Sequence, residues 1–280
     1  MTGTCQICGQ PAPQGCPWTF CKSCKKTKEA REIVKKDRTF FVNNILKKRK
    51  ISIIIVTADP LGNIFETCLA NIKEHTSKFR YETIIINEVG NEYSYSKSVN
   101  MGLRAATGDY IVVMNDDVFV QEGWLDAMLE ALDADIGIVG GKMLYPNGKV
   151  NLCGGIIVWE NNDVRTLHLF LNRDGNDPIV NEGVKEVDYI SGALFLIPRL
   201  VIDSIGFFDE QFTFNFEETD YCCRIRQKGY KVIFTPRCNA IHLEGASSQH
   251  INAYGEENSH DKRVKISKER FVKKWLANHP

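Results

Sequence analysis

Two hydrophobic patterns alternate along the chain beyond residue 50: continuous apolar runs, and longer segments with a single apolar face. The runs at 51–57, 81–87 and 110–114 (ISIIIVT, YETIIIN and YIVVM) are rich in β-branched residues, as strands buried on both faces of a sheet are. A break follows each run, and the segments near 63–75 and 95–107 have the spacing of amphipathic helices. Alternating strands and helices predict an α/β domain with a parallel sheet.

Polar side chains collect where these predicted strands end. They are Thr57, Asp59, Asn87, Asn115, Asp116 and Asp117. The carboxyl ends of parallel strands meet at one edge of a sheet, and ligands of such proteins bind there. A surface turn would also explain the two adjacent carboxylates in YIVVMNDDVFV, but three polar clusters at one edge favour a binding site.

The two common loops that bind phosphate groups are missing from the sequence. No Gly-x-Gly-x-x-Gly follows the first strand, and no Gly-x4-Gly-Lys occurs. A divalent cation held by Asp117 would bind a diphosphate instead, because carboxylate oxygens suit Mg²⁺ or Mn²⁺ and the cation neutralises phosphate charge.

A second cluster of acids lies in a helix predicted to begin near Glu217 and to end at Gly229. At about 100° per residue, Glu218 falls in phase with the apolar positions that should face the sheet, whereas Glu217 and Asp220 flank them. Acids in a first helical turn interact with the helix dipole, and Asp220 has Arg224 four residues ahead as a partner. Glu218 lacks such an explanation and is the candidate general base toward a hydroxyl group.

His242 follows a further predicted strand at 231–236 and stands after an apolar pair in NAIHLEGAS. A histidine there is either a hydrogen-bonded structural residue or a ligand of the metal expected near Asp117. The residues alone leave both explanations open.

Cysteine spacing is the clearest signal near the start of the chain. Cys5 and Cys8 precede Cys21 and Cys24 as two Cys-x2-Cys pairs, the arrangement that holds one zinc ion. Cys16 is an alternative ligand, and disulfide bonds are the alternative to zinc. Four thiolates leave no open position for chemistry, so we expect a structural zinc that stabilises a small ribbon. The other cysteines fall in apolar segments and are expected in the core: Cys68, Cys153, Cys222, Cys223 and Cys238.

Charge is balanced overall, with 35 basic and 35 acidic residues, but it is distributed unevenly. Residues 22–50 are rich in Lys and Arg, and the rest of the chain is acidic. This basic arm would contact an anionic membrane, a protein partner or nucleic acid, or dock on its own acidic domain. No apolar run reaches the roughly 18 residues of a membrane helix and no signal peptide is evident, so we expect a cytoplasmic location, including the inner face of the membrane.

These motifs, in this order, resemble the inverting glycosyltransferases of family 2, which have the GT-A fold. The resemblance runs from ISIIIVTAD through GLRAATGDYIVVMNDDV, YISGALFLIPR and GFFDEQFTFNFEETDYCCRIRQKGY to IHLEG, and it covers nearly all of 51–245. The segment KISKERFVKKW also resembles the closing helix of bacterial rhamnosyl- and galactofuranosyltransferase-like members. The resemblance implies a Rossmann-like, mixed and mostly parallel sheet flanked by helices. The small zinc ribbon precedes this domain in the sequence.

The resemblance implies roles for individual residues. Asn115, Asp116 and Asp117 match an Asp-x-Asp motif, which implies donor contacts for the first two and Mn²⁺ or Mg²⁺ ligation for Asp117. His242 matches a late metal-ligand histidine. The residues implied to bind the nucleotide-sugar are Thr57, Asp59, Asn87, Lys97, Asn100, Asn115, Asp116, Gly192 and Ala193.

Glu217, Glu218 and Asp220 match the Glu-Asp-x-Asp motif of the family, whose second acid is the base. Glu218 replaces the more common Asp, so the choice among the three acids stays open. The second strand lacks the usual Asp-rich loop after it, which leaves the nucleotide base undetermined. The Gln-x-x-Arg-Trp motif of processive members is absent, which favours the transfer of a single sugar.

The implied reaction moves a sugar from a UDP-, dTDP- or GDP-sugar to a glycan, lipid-linked or protein acceptor. One rival hypothesis is a nucleotidyltransferase, which would carry a Gly-rich basic loop after the first strand. The other is a nucleic-acid-binding zinc-ribbon protein with a degenerate transferase domain, although the complete set of acids and His242 favours catalysis over nucleic acid binding.

The predicted organisation has four parts. They are a zinc ribbon at 1–24, a basic helical linker at 25–50, a transferase domain at 51–245 and a helical tail at 246–280. Within the transferase domain, 51–118 is the expected nucleotide-binding half and 119–245 the expected acceptor half.

Overall fold

The computed structural model describes residues 3–4, 11–12, 49–87, 94–212, 214–244 and 260–278. The chain divides into two compact units, Met1–Lys48 and Arg49–Pro280. In the first unit, Gly3–Thr4 and Pro11–Ala12 pair as short antiparallel strands. The predicted zinc ligands and all of the basic arm before residue 49 lie outside the described residues.

The second unit consists of alternating strands and helices, as the sequence predicted. Its strands are β1 (Ile51–Thr57), β2 (Tyr81–Asn87), β3 (Tyr110–Asn115), β4 (Val118–Val120), β5 (Ile136–Leu144), β6 (Val150–Leu152), β7 (Gly155–Glu160), β8 (Asp163–His168), β9 (Lys185–Glu186), β10 (Leu194–Pro198) and β11 (Lys231–His242). Its helices are α1 (Asn63–Thr76), α2 (Tyr95–Ala105), α3 (Trp124–Ala131), α4 (Arg199–Ile205), α5 (Glu217–Gln227) and α6 (His260–Trp275), and a 3-10 turn at Leu276–Asn278 follows α6. None of the helices in these described ranges is long and apolar enough to cross a membrane.

Nine of the described strands form one sheet in the order β9-β11-β5-β10-β3-β1-β2, with β4 paired to β11 and β6 to β5. β1 runs parallel to β2 and β3, and β5 runs parallel to β11. β10 is antiparallel to both of its neighbours, β3 and β5. The predicted mixed, mostly parallel sheet is therefore confirmed. Because β10 runs against the others, its first residues lie at the edge where the parallel strands end.

The core lies between this sheet and its helices. Every residue of β1 is buried, as its continuous apolar run predicted. Val99 and Leu103 of α2 are buried against the sheet, and Gly102 packs so closely on Ile54 that an added Cβ would lie 2.3 Å from its Cγ2. The predicted core cysteines are all free; Cys223 is partly exposed and the other four are buried.

Two elements differ from the sequence prediction. Helix α2 ends at Ala105, before the predicted 107, and the Arg199 guanidinium holds the following turn by donating to the carbonyl of Ala106 at 2.7 Å and that of Gly108 at 3.2 Å. Strand β11 continues from the predicted 231–236 to His242. Pro236 is tolerated because the register with β5 shifts between Thr235 and Asn239, where a bulge needs no N–H from proline.

A polar cluster closes the amino end of the sheet. The carboxylate of Glu82 accepts hydrogen bonds from Ser52 Oγ at 2.7 Å, from Thr107 Oγ1 and N at 2.9 Å, and from Lys50 Nζ at 2.5 Å. Burial opposes ionisation here, but these donors lower the pKa of Glu82 to about 2. The cluster therefore joins β1, β2 and the turn after α2 at the end remote from the site.

A second apolar cluster attaches α6 to the domain. Phe271 and Trp275 are buried with Phe212 and Val164, and the rings of Trp159 and Phe271 stack with centroids 6.0 Å apart. Trp159 and Val164 belong to the antiparallel hairpin of β7 and β8. The helix thus packs on this hairpin and on the loop that precedes α5.

Candidate functional site

The first part of the site lies at the carboxyl end of β1. Thr57 Oγ1 donates to Oδ2 of Asp116 at 2.6 Å and accepts a hydrogen bond from the Asp59 amide at 3.1 Å. Both Thr57 and Asp116 are buried. The fold therefore brings Thr57, Asp59 and Asp116 together, as the strand-end argument predicted.

Asp117 and His242 meet through the pairing of two strands. β4 lies antiparallel to β11 with His242 opposite Val118, and the Leu243 amide donates to the Asp117 carbonyl at 3.1 Å. This register places Nε2 of His242 3.3 Å from Oδ1 of Asp117. Asp117 is 3% exposed, and its Oδ1 accepts no hydrogen bond from the described residues.

The chemistry of this pair suits a divalent cation. Two ligands at neighbouring positions of an octahedral ion, with bonds of about 2.1 Å, lie about 3 Å apart, close to the observed 3.3 Å. The described residues contain no group of three or more His, Cys, Asp or Glu side chains spaced for a metal ion. One carboxylate and one imidazole nevertheless fit Mg²⁺ or Mn²⁺ sites that are completed by substrate phosphate and water.

The predicted sugar-binding residues lie at the start of β10. The Asn115 amide donates to the Ala193 carbonyl at 3.0 Å, and the Tyr95 hydroxyl donates to the Gly192 carbonyl. A Cβ on Gly192 would come within 3.3 Å of the Tyr95 hydroxyl, so the segment is tightly fixed. The fold thus holds Gly192 and Ala193 beside Asn115 at the ends of the parallel strands.

The acids of α5 follow an unusual backbone turn. Asn215 and Phe216 have φ of 61° and 67°, in the left-handed region that non-glycine residues seldom adopt. The turn buries Glu217, which is 6% exposed, and leaves Glu218 partly exposed. Glu217 and Asp220, which helical phase placed beside the inward face, are therefore more deeply buried than Glu218.

Both glutamates hold their protons more tightly than a free side chain. Burial and the negative charge of Glu218 raise the pKa of Glu217 to about 8. Burial raises the pKa of Glu218 to about 7. Backbone amides near the start of α5 and the charge of Arg263 oppose this shift, but Oε2 of Glu217 accepts no hydrogen bond from the described residues. A carboxylate with a pKa near 7 is suited to general base catalysis at neutral pH.

Asp220 is fixed by α6. Its Oδ1 accepts hydrogen bonds from Trp275 Nε1 and from Lys274 Nζ, both at 2.8 Å, and its side chain is fully buried. Arg224, the partner expected from the sequence, acts on Asp220 only through its charge, because its guanidinium donates to the carbonyls of residues 205 and 207. The described contacts thus make Asp220 an anchor between α5 and α6.

Three predicted donor-binding residues remain: Asn100, Lys97 and Asn87. Asn100 is buried, and its amide bonds the Phe208 backbone twice and Oε1 of Glu210 once, which fixes the loop before α5. Lys97 is exposed on the same helix, α2, and Asn87 is exposed at the end of β2 opposite Thr57. The structure does not assign these two side chains a contact.

Sequence reasoning missed two polar residues beside His242. Asn151 of β6 is buried, with Oδ1 3.1 Å from Nδ1 of His242, and its Nδ2 donates to Glu244 Oε2 at 3.2 Å. A single Asn between Val150 and Leu152 in an apolar stretch was the available signal. Glu244, two residues after the candidate ligand, was the other.

Tyr189 connects the acid helix to the strand ends. Burial and the charge of Glu218 raise the pKa of the Tyr189 phenol, so its ring lies within electrostatic reach of that acid. Gly192 and Ala193 follow Tyr189 in the chain after two intervening residues. The site therefore extends from Asp117 and His242, along the segment before β10, to the first turn of α5.

Solved structures of low sequence identity share this fold. The chain superposes on GalNAc-T7, crystallised with UDP, GalNAc and Mn²⁺, with a TM-score of 0.52 and 14% identity over 71% of this chain and 45% of that one. It also superposes on residues 1–349 of S. aureus TarS in complex with UDP-GlcNAc, with a TM-score of 0.50 and 14% identity over 82% of this chain and 67% of that one. These likenesses support the GT-A fold that the sequence predicted.

Sequence relatives come from bacteria. The uncharacterized protein y4gI of Sinorhizobium fredii is 24% identical over 82% of this chain, and the O-antigen biosynthesis protein RfbC of Myxococcus xanthus is 25% identical over 55% of it. The N-acetylglucosaminyl-diphospho-decaprenol L-rhamnosyltransferase of Mycobacterium tuberculosis is 23% identical over 60%. The chain spans 28%, 12% and 62% of the lengths of these relatives.

One family profile matches the chain directly. It is described as Glycosyl transferase family 2 and covers residues 52–204, which is more than half of the sequence. The matched region includes β1, the Asp116-Asp117 turn and the segment that leads into β10. The chain therefore belongs to glycosyl transferase family 2.

Proposed function

We propose that this protein is a metal-dependent, inverting glycosyltransferase that moves one sugar from a nucleotide-sugar to an acceptor hydroxyl. One observation carries the proposal: Oδ1 of Asp117, which is buried and accepts no hydrogen bond from the described residues, faces Nε2 of His242 at 3.3 Å, at the edge where the parallel strands end. Two acceptor atoms at this distance need a cation between them or a proton on the imidazole. Family membership and the fold shared with a UDP- and Mn²⁺-bound transferase support the first choice.

The donor would lie across the strand ends. Asp117 and His242 would hold the Mn²⁺ or Mg²⁺ ion, which when bound stabilises the negative charge of a departing nucleotide diphosphate. Asp116, fixed by Thr57, would contact the ribose or a phosphate. Gly192 and Ala193 would border the sugar, since a small side chain at each position leaves the strand ends open.

Glu218 is the proposed base. It is the more exposed of the two glutamates, whereas Glu217 is buried and Asp220 is bonded to α6. Glu218 would take the proton of the acceptor hydroxyl while the oxygen attacks the anomeric carbon from the face opposite the diphosphate. Configuration then inverts in a single displacement, and no covalent enzyme intermediate is formed.

Two bacterial relatives indicate the class of acceptor. The mycobacterial relative is named as a rhamnosyltransferase that acts on N-acetylglucosaminyl-diphospho-decaprenol, and RfbC is named for O-antigen biosynthesis. We propose a glycan or lipid-linked acceptor on this basis. The basic segment 22–50 would then contact an anionic membrane surface or a partner protein on the cytoplasmic side.

The experiment that tests the proposal measures nucleotide binding first and transfer second. Thermal unfolding is followed with UDP, GDP or dTDP, each with and without Mn²⁺, and we expect one nucleotide to stabilise the protein only when the metal is present. The matching nucleotide-sugar is then tested for hydrolysis and for transfer. Absence of any metal-dependent stabilisation would contradict the proposal.

A variant pair separates the base from the binding site. Glu218→Gln keeps the size of the side chain and removes the base, so transfer should fall by about 10²–10⁴-fold while donor binding persists. The control is Glu122→Gln, which removes the same charge at an exposed position and should leave transfer unchanged. Full turnover by Glu218→Gln would move the base role to another acid.

A further inference from the structure

Asn151 and Glu244 form a chain of hydrogen bonds behind His242. The amide of Asn151 lies between the two residues, with Oδ1 3.1 Å from Nδ1 of His242 and Nδ2 3.2 Å from Oε2 of Glu244. A carboxylate only accepts hydrogen bonds, so the amide nitrogen must face Glu244. The amide oxygen must therefore face His242, and the orientation of Asn151 is fixed by chemistry.

This orientation determines which nitrogen of His242 carries hydrogen. The oxygen of Asn151 can only accept, so Nδ1 is the donor. In the neutral imidazole the lone pair is then on Nε2, which lies 3.3 Å from Oδ1 of Asp117. Asn151 thus orients the Nε2 lone pair of His242 toward the carboxylate of Asp117. The candidate metal position lies between these two groups.

The backbone at Glu244 gives independent support. Its φ is 34°, in the left-handed region where a non-glycine residue is strained. The Leu243 amide, one residue earlier, is bonded to the Asp117 carbonyl. The turn therefore holds the carboxylate of Glu244 over Asn151 at a cost in backbone conformation, although Glu244 is otherwise an exposed residue.

We propose that Asn151, oriented by Glu244, is a positioning residue that fixes His242 as an Nε2 ligand for the divalent cation. The inference rests on the proposed function and assigns roles to two residues that the sequence motifs left without one. Partners of this kind typically change metal affinity by about 10–100-fold when they are removed. Neither Asn151 nor Glu244 touches the metal or the sugar in this role.

Three variants test the proposal. Asn151→Leu removes the acceptor for His242 at similar size. Asn151→Asp combined with Glu244→Gln reverses the hydrogen bond between the two residues and keeps an oxygen facing His242. Asn176→Ala, at an exposed loop position, is the control. If Asn151→Leu fails to fold, Glu244→Ala is tested in its place. It removes the carboxylate that orients the Asn151 amide, at an exposed residue, and leaves the Tyr145 hydroxyl that also bonds Asn151.

The first readout needs no metal. Nitrogen-15 NMR of the histidine rings in the metal-free protein reports which ring nitrogen is protonated, and we expect Nδ1–H for His242 in the wild-type protein and in the double variant. Asn151→Leu should lose this preference. A wild-type His242 protonated on Nε2 alone, or an unchanged pattern in Asn151→Leu, would overturn the proposal.

The second readout is Mn²⁺ affinity in the presence of the nucleotide, from the electron paramagnetic resonance signal of free Mn²⁺. Affinity should fall about 10–100-fold in Asn151→Leu and return to within about threefold of wild type in the double variant, with the control unchanged. If the double variant loses as much Mn²⁺ affinity as Asn151→Leu, Asn151 has only a packing role and the proposal is overturned. If the wild-type protein binds no Mn²⁺, the proposed function fails as well, whereas wild-type binding with unaffected variants overturns this inference alone.

Discussion

Replacing Glu217 by Gln should make the protein more stable at alkaline pH. Burial and the charge of Glu218 raise the pKa of Glu217 to about 8, from an ordinary value of 4.5. Between these values the folded protein keeps a proton that the unfolded chain has released. Wild-type stability therefore falls as the pH rises from 4.5 to 8, and Gln, which never ionises, removes this loss.

The expected change in unfolding free energy follows from the pKa shift of Glu217 and from the missing hydrogen bond at its Oε2. A shift of this size corresponds to about 4 kcal/mol at pH 8, since each pKa unit is about 1.4 kcal/mol. Oε2 of Glu217 has no hydrogen-bond partner in the described residues, so the amide group of Gln would be unsatisfied there at a cost of about 1–3 kcal/mol. The net gain at pH 8 is about 1–3 kcal/mol, and near pH 4.5 only the cost remains.

Urea unfolding between pH 4.5 and 8.5 measures this effect. The difference in unfolding free energy between Glu217→Gln and wild type should change sign within that range, with the variant more stable at the alkaline end. Glu122→Gln, at an exposed position, should show no such crossing. A variant that is less stable than wild type by the same amount at every pH would refute the reasoning, because the carboxyl would then not be protonated by folding.

Four further outcomes are expected. Because burial raises the pKa of Glu218 to about 7, the rate of transfer should fall about tenfold per pH unit below pH 7, and a rate that is flat from pH 5 to 8 would exclude this acid as the base. His242→Ala should abolish Mn²⁺-dependent stabilisation by nucleotide while the metal-free melting temperature changes little, as a thermal-shift titration would show. Trp275→Phe should cost about 2 kcal/mol in urea unfolding at pH 7, since it removes a hydrogen bond to the buried carboxylate of Asp220; unchanged stability would mean that Lys274 alone satisfies this acid. Glu82→Gln should lose about 2–3 kcal/mol above pH 4.5, because the folded pKa is lowered to about 2, and the difference from wild type should disappear as the pH falls from 4.5 to 2 in acid unfolding.

The strands and their polar ends could be predicted because the signals are local. β1 and β2 have the bounds that their β-branched runs indicated, and Thr57 and Asp116 meet as expected at the edge of a parallel sheet. Asp117 and His242 are 125 positions apart in the sequence (242 − 117). Their association in one site was predicted from the resemblance to a known family, because hydrophobic periodicity carries no information on it.

The burial of the acids in α5 could not be predicted from the helix alone. Helical phase predicted an inward Glu218 flanked by Glu217 and Asp220. The left-handed turn at Asn215 and Phe216, directly before the helix, accompanies the burial of Glu217. Asp220 is covered by α6, which lies more than 50 residues later in the sequence. Asn151 was missed for a similar reason. Its contact with His242 joins residues separated by 91 positions and arises from the pairing of β6 with β5.

The contact between α6 and Asp220 has a consequence for the order of folding during synthesis. All strands of the sheet precede residue 243, whereas the Trp275 and Lys274 groups that satisfy Asp220 are translated later. A chain that lacks α6 contains every described strand of the sheet and an acid helix whose buried Asp220 is without these two donors, which disfavours the final packing of that helix. The helix that carries Glu218 would thus reach its working position after the donor half of the site. Arrested chains ending at residue 259, probed by limited proteolysis of α5, should be cleaved faster there than the full-length protein.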